Sequence, residues 1–260
     1  MLKVISFTIC PFVQRITALL EAKSLPYEVE YIQLNDKPQW FLDISPNGQV
    51  PLLQIDTGEV LFESDAIAEY LEDAYPPLQP GLSPVQVAHN RAWSYLGSKQ
   101  YLVQCPTMGS KDGDTLKQHS VKLASAFAKV ETVLGGQRYF NSDSLSMVDL
   151  AWLPVLHRAW IIKQHTGYDF VAGYPKTQAW QQALMDTGLG QRSVADDFLE
   201  KFSAYYLSEQ TVLGRIQRHC QPCQCQADTL DECCGQQQCR DILASCEPKS
   251  SNCGDSGCCG

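Results

Sequence analysis

The chain has 260 residues and is 44% hydrophobic, enough for two compact domains and a tail. Its formal net charge of −9 argues against a nucleic-acid partner, which needs clustered Lys and Arg. No stretch approaches the ~20 apolar residues of a membrane-spanning helix, so no membrane partner is expected.

Leu2–Phe7 reads as a buried strand that runs directly into Thr8-Ile9-Cys10-Pro11-Phe12. It lacks the longer apolar run and small-residue cleavage site of a secretory signal, so a reducing, cytoplasmic setting is expected. Pro11–Ser24 is predicted to be helical, with Pro11 at the first position, where its missing N–H costs little. Phe12, Ile16, Leu19 and Leu20 fall at helical spacing and supply a buried face. Cys10 is thereby placed at a helix mouth, beside unpaired N–H groups and the positive end of the helix dipole. Both favour the thiolate, the form that attacks sulfur and carbon electrophiles. Val13 stands where a Cys-x-x-Cys motif would have its second thiol, so Cys10 needs a thiol from elsewhere.

Tyr27–Leu34 alternates as a second strand, and Lys37–Ile44 is a short helix stopped by Ser45-Pro46-Asn47-Gly48. Leu52–Asp56 and Val60–Phe62 form a hairpin across Thr57-Gly58, and a helix runs from Ser64 to Ala74. The predicted order is β-α-β-α-β-β-α. Pro76–Pro84, rich in Pro, Gly and Gln, reads as a linker.

Helical periodicity then takes over in Val85–Val103, Thr115–Leu134, Met147–Ile162, Pro175–Met185 and Ser193–Tyr206, about five helices. Ser146-Met147-Val148-Asp149 is a capping box variant opening the third of these, which Pro154 interrupts. Cys105 is expected to be a core or cleft residue without a role, and Trp93, Tyr95, Trp152 and Trp160 to be core. His89, His119, His157 and His165 are scattered and propose no metal site.

Beyond Leu207 the composition changes, and ten of the twelve cysteines crowd into the last stretch. They are Cys220, Cys223, Cys225, Cys233, Cys234, Cys239, Cys246, Cys253, Cys258 and Cys259. So few apolar side chains cannot offset the entropy of ordering this segment unless sulfur bonds hold it. Adjacent thiolates at Cys-x-Cys, Cys-x-x-Cys and Cys-Cys spacing suit a soft ion, zinc or copper(I). A disulfide-bonded tail and an unligated one remain open. In composition the tail looks like metallothionein.

Four segments together resemble the glutathione transferases, the omega class most. They are Cys10-Pro11-Phe12, Asn35-Asp36-Lys37-Pro38-Gln39-Trp40-Phe41, Ser45-Pro46-Asn47-Gly48-Gln49-Val50-Pro51 and Glu63-Ser64-Asp65-Ala66-Ile67. The likeness covers residues 1–206, with the Ser146–Asp149 box matching the family's N-capping element. It implies a thioredoxin-like α/β domain over 1–78, an all-α domain over 84–207, and an additional Cys-rich tail of little regular structure over 208–260. It also implies glutathione as co-substrate and Cys10 as catalytic nucleophile. Val50, before a cis Pro51, would pair with the glutathione cysteine. Glu63-Ser64 would open a helix whose N–H groups and Ser64 hydroxyl hold the γ-glutamyl carboxylate. Lys37 would neutralise the glycyl carboxylate, and Phe12 would pack beside the thiol. The expected activity is thiol transfer through a mixed disulfide at Cys10, on small thiol or disulfide substrates, with dehydroascorbate a further acceptor. A homodimer is implied too. The alternatives are a non-catalytic glutathione-anchored scaffold whose tail stores zinc or copper(I), and conjugation of glutathione to electrophiles.

Overall fold

The computed structural model describes residues 1–219, with side chains described through Ile216. The ten cysteines from Cys220 to Cys259, expected as metal ligands, lie outside the described residues.

The first half is a four-stranded sheet in the order β2-β1-β3-β4. β1 (Leu2–Ser6) runs parallel to β2 (Tyr27–Tyr31), with Leu2 opposite Tyr27 and Ser6 opposite Tyr31. β3 (Leu52–Gln54) is antiparallel to β1, pairing Leu53 with Val4, and β4 (Val60–Phe62) is antiparallel to β3. Successive side chains on a strand point to opposite faces, so β1 feeds two separate apolar layers. Val4 and Leu53 join Ile16, Leu19, Ile67 and Leu71 under α1 (Pro11–Ala22) and α3 (Ser64–Ala74). Ile5 and Leu52 instead meet Ile32 and Phe41, which α2 (Gln39–Ile44) lays on the opposite face. Phe41 is wholly buried, and such a side chain stabilises by about 3 kcal/mol relative to exposure.

The second half is helical: α4 (Pro84–Lys99), α5 (Tyr101–Met108), α6 (Gly113–Val133), α7 (Met147–Thr166), α8 (Pro175–Met185), α9 (Leu189–Arg192), α10 (Phe198–Tyr206) and α11 (Val212–His219). α7 is buried nearly all round, as its unbroken apolar run requires. α4 crosses it closely at Gly97, where a Cβ would lie 2.8 Å from the Trp152 ring. The capping box at its start is complete: the Ser146 hydroxyl accepts from the Asp149 N–H, and the Asp149 carboxylate accepts from Ser146 N–H at 2.8 Å. Asp149 also receives the Phe140 N–H at 3.0 Å and Trp180 Nε1 at 2.6 Å.

Four expectations change. Val85–Val103 divides at Gln100, whose side-chain Nε2 donates to the Leu96 carbonyl at 3.0 Å. That carbonyl would serve Gln100's own N–H in a continuous α-helix, and the N–H turns to Gly97 O instead, at 2.9 Å. Pro154 does not interrupt α7, which packing carries through to a left-handed Gly167 with φ +73°. Ser193–Tyr206 is not one helix, because the Ser193 carbonyl accepts the Thr17 hydroxyl of α1 at 2.6 Å and is drawn out of the ladder. Finally, the helical layer continues past Leu207. α11 buries Val212, Leu213 and Ile216, and the Val212 N–H donates to Ser110 O at 2.9 Å. The residues just after 207 therefore belong with the helical body rather than with a tail of little regular structure. Among the described residues there are eight helices in this half, not five.

Candidate active site

Cys10 ends the β1–α1 connection as the N-cap of α1, with φ −73° and ψ 121° and no side-chain cap of its own. Pro11 follows at the first helical position, and the Val13 and Phe12 N–H groups face the sulfur. Phe12 is fixed by an edge-to-face contact with Tyr101 of α5, ring centroids 4.9 Å apart.

Across from the thiol, Val50–Pro51 is a cis peptide, as the resemblance implied. The loop before it is tied down by Ser45, whose hydroxyl donates to Gln49 O at 3.2 Å and accepts the Gln49 N–H at 3.1 Å. Gly48 has φ +62°, a conformation costly for residues with a Cβ, and a Cβ there would meet the Lys37 amine at 4.0 Å. Lys37 has no ion-pair partner among the described residues.

Glu63 precedes α3 with φ +66° and ψ 116°, a strained setting for a residue with a side chain. Its carboxylate accepts Asn47 Nδ2 at 2.8 Å, which braces the α3 entry against the Val50 loop. No side chain caps α3, so its first N–H groups are left to another acceptor, with the buried Ser64 hydroxyl beside them.

Cys10, Phe12, Lys37, Val50, Glu63 and Ser64 all line one open cleft of about 450 Å³. The arrangement offers a thiol between two anion-accepting ends: the Lys37 ammonium and the α3 N-terminus. A short peptide with a carboxylate at each end and a thiol between them fits that set of donors. Asn47, Leu34 and Leu102 also line the cleft and were not singled out from the sequence.

One expectation is reversed. The helix-mouth N–H groups and the Arg158 charge do lower the Cys10 pKa, but burial outweighs them and pushes the thiol above its ordinary value. Arg158 itself was missed. It is completely buried on α7, its Nη2 donates to Ile9 O at 3.1 Å, and its Nη1 donates to Pro154 O at 3.1 Å and to Gln14 Oε1. A charged residue inside the apolar run Leu153–Ile162 was the available signal, because such a residue is seldom buried without a task.

Residues 9–74 match the family model for the glutathione S-transferase N-terminal domain, and residues 114–183 that for the C-terminal domain. The chain is 30% identical over 212 residues to glutathione S-transferase omega-1 of Sus scrofa, covering 80% of this chain and 86% of the relative. It belongs to the glutathione S-transferase family. This transferase is also 34% identical over 159 residues to glutathione S-transferase DHAR2 of Arabidopsis thaliana, covering 60% of this chain and 70% of that one. Among solved structures it resembles glutathione transferase Omega 3C of Trametes versicolor. There the TM-score is 0.65 at 29% identity, covering 75% of this chain and 89% of the other. The sheet followed by helices is thus the family's fold, and no helix among the described residues is long and apolar enough to cross a membrane.

Proposed function

We propose that this glutathione S-transferase is a glutathione-dependent thiol transferase acting through Cys10. The observation that carries the reading is a cysteine, rather than a hydroxyl, at the mouth of α1, in one cleft with Lys37, Val50, Glu63 and Ser64. A hydroxyl could only activate glutathione by hydrogen bonding, whereas a sulfur can bond to it.

Glutathione's γ-glutamyl carboxylate would take the α3 N–H groups and the Ser64 hydroxyl, and Glu63 stands ready for its ammonium. Lys37 would take the glycyl carboxylate. The Cys10 thiolate attacks the glutathione sulfur of a mixed disulfide R–S–S–G, forming Cys10–S–S–G and releasing R–S⁻, which takes up a proton. A second glutathione thiolate attacks the glutathione sulfur of that adduct, forming glutathione disulfide and returning the Cys10 thiolate. The sum is R–S–S–G and one glutathione giving R–SH and glutathione disulfide, so one free glutathione thiol is oxidised as the R sulfur is reduced. Dehydroascorbate is a second proposed acceptor, supported by the likeness to the DHAR2 relative.

The test is a Cys10→Ser variant assayed with glutathione and a glutathionylated peptide. Reduction should fall to the uncatalysed rate, while retained turnover would defeat the reading. If Cys10→Ser gains activity towards an aryl halide, the site is built for conjugation instead.

A second reading rests on the sequence of the tail. Ten thiols within 220–259, at spacings that let neighbours share an ion, favour storage of zinc or copper(I) alongside catalysis. Native mass spectrometry of protein purified under reducing conditions checks this, and also reads the proposed homodimer. Less than one metal ion per chain removes the storage role.

A further inference from the structure

α9 stops at Arg192 and α10 starts at Phe198, with the Ser193 carbonyl held by Thr17 of α1. The irregular stretch between them leaves a cleft of about 520 Å³ against the C-terminal half of α7. It shares no lining residue with the Cys10 cleft. Its walls are mostly apolar, with Trp160 and Ile161 from α7 and Val194, Phe198 and Leu199 from the other side. Leu199 is itself exposed, an apolar side chain left in water at the rim.

One polar group reaches this cleft from the interior. His157 is only 3% exposed, yet it lines the cleft. Its tautomer follows from its neighbours. An arginine can only donate, so the bond from Arg158 Nη1 fixes Gln14 Oε1 on that side of the amide and Nε2 on the other. Gln14 Nε2 meets His157 Nδ1 at 2.9 Å, so Nδ1 accepts and the neutral ring carries its proton on Nε2. Burial keeps the ring neutral, lowering its pKa to about 3. Phe198 stacks on the ring at 5.9 Å, and Gly190 packs so near that a Cβ there would lie 2.9 Å from Cδ2. The Nε2 edge is what remains to meet the cleft. Its N–H has no hydrogen-bond partner among the described residues. Unlike Arg15 Nη2 and Arg158 Nε, which are enclosed without a partner, it is not sealed in. A ligand that covers this donor without an acceptor forfeits a hydrogen bond, so the cleft favours an oxygen at that point.

Charge decides the rest. No Lys or Arg lines the cleft and Asp196 does, so an anion finds no ammonium or guanidinium to pair with and a carboxylate that repels it. A cation meets a donor at the deep end, where it needs an acceptor. We propose that this cleft is a second ligand site, which takes a neutral aromatic molecule and receives its carbonyl oxygen on the His157 Nε2–H. The site is independent of the thiol-transfer reading, since no residue of the Cys10 cleft takes part in it.

The experiment uses the full-length protein and two probes of similar shape, benzophenone and diphenylmethane, which differ by a carbonyl against a methylene. Equilibrium dialysis should show benzophenone bound roughly tenfold tighter. Ultraviolet irradiation should join benzophenone to residues 159–163 or 193–201, the peptides released by cleavage after Arg158, Lys163, Arg192 and Lys201. His157→Phe removes the donor and keeps an aromatic ring against Phe198, so the two probes should then bind within about twofold of each other. Ala195→Trp fills the cleft from its other side, leaves His157 in place, and should abolish binding of both. Equal affinity for the two probes in wild type overturns the proposal. So do cross-links confined to other peptides, unchanged binding in Ala195→Trp, or no binding of benzophenone up to its solubility limit. Should His157→Phe fail to fold, Ala195→Trp and the cross-links carry the test.

Discussion

Arg158 of α7 donates from Nη2 to the carbonyl oxygen of Ile9 at 3.1 Å, which fastens the helical half to the residue just before Cys10. The same guanidinium holds Gln14 Oε1, and Gln14 Nε2 passes on to His157 Nδ1 at 2.9 Å and Gly190 O at 3.2 Å. α1 is thus keyed to α7 by a buried polar chain rather than by apolar contact alone. The position of the Cys10 thiol is set by both halves of the protein.

The thiol's ionisation should follow from that setting. Burial holds the Cys10 pKa above the ordinary cysteine value, while Arg158 and the α1 N–H groups oppose it. Iodoacetamide rates measured against pH without glutathione should therefore show a midpoint above that of free cysteine. Arg158→Met should move it higher still. A midpoint near pH 6 in wild type would refute the burial argument.

Glutathione affinity should depend on the two ends of the cleft separately. In the proposed pose, Lys37→Met and Ser64→Ala would each remove one hydrogen bond to a glutathione carboxylate, worth about 1.5–3 kcal/mol. Calorimetric titration should show each weakening glutathione binding by roughly tenfold or more. The Lys37 contribution should shrink as salt rises, because Lys37 is partly exposed. Unchanged affinity in both variants would place the peptide elsewhere.

His157 should give the protein an acid-sensitive limb. Burial, with Arg158 adding to it, pushes its pKa down from 6.5 to about 3. Between those values the unfolded chain binds a proton that the folded chain refuses, so stability falls as pH drops through that window. The slope from this residue is about 1.4 kcal/mol per pH unit. Urea unfolding from pH 6.5 to 4.5 should show His157→Asn losing about 2–3 kcal/mol less than wild type over that range. Parallel pH profiles would show that His157 is already charged in the fold.

Asp149 should be worth more to stability than any exposed ion pair in the protein. Its carboxylate gathers four donors, from Ser146 N–H and hydroxyl, Phe140 N–H and Trp180 Nε1. Asp149→Ala would leave several of these buried and unpaired, at about 4 kcal/mol in total. Asp149→Asn, which keeps one acceptor oxygen, should cost roughly half as much. Loss under about 1 kcal/mol for the alanine variant, by denaturant midpoint, would mean that water reaches the cap.

The α/β half was legible because its signals are local. Alternation in Tyr27–Tyr31, Pro11 at a first helical position and the Ser45–Gly48 turn each state their own structure, and the succession β-α-β-α-β-β-α along the chain follows. The six cleft residues came together as expected because each sits at an element end that local chemistry defines. What escaped was set by contacts distant in sequence. Gln100 divides a helix by a side-chain hydrogen bond, Ser193 leaves one because Thr17 claims its carbonyl, and α11 forms because α7 offers it a surface. The direction of the Cys10 shift escaped too: the helix end is local, whereas burial of the thiol is a property of the folded whole.

α11 also decides what can be cut away or pulled upon. Its first N–H grips Ser110, just past the end of α5, and Arg215 Nη2 grips Lys111 beside it. Truncation at Leu207 would strip a lid of three apolar side chains off the molecule, so a tailless version must end no earlier than His219. Traction on the far terminus, from a tethered partner or a collapsing cluster of thiols, would be transmitted to the short helix that carries Cys105.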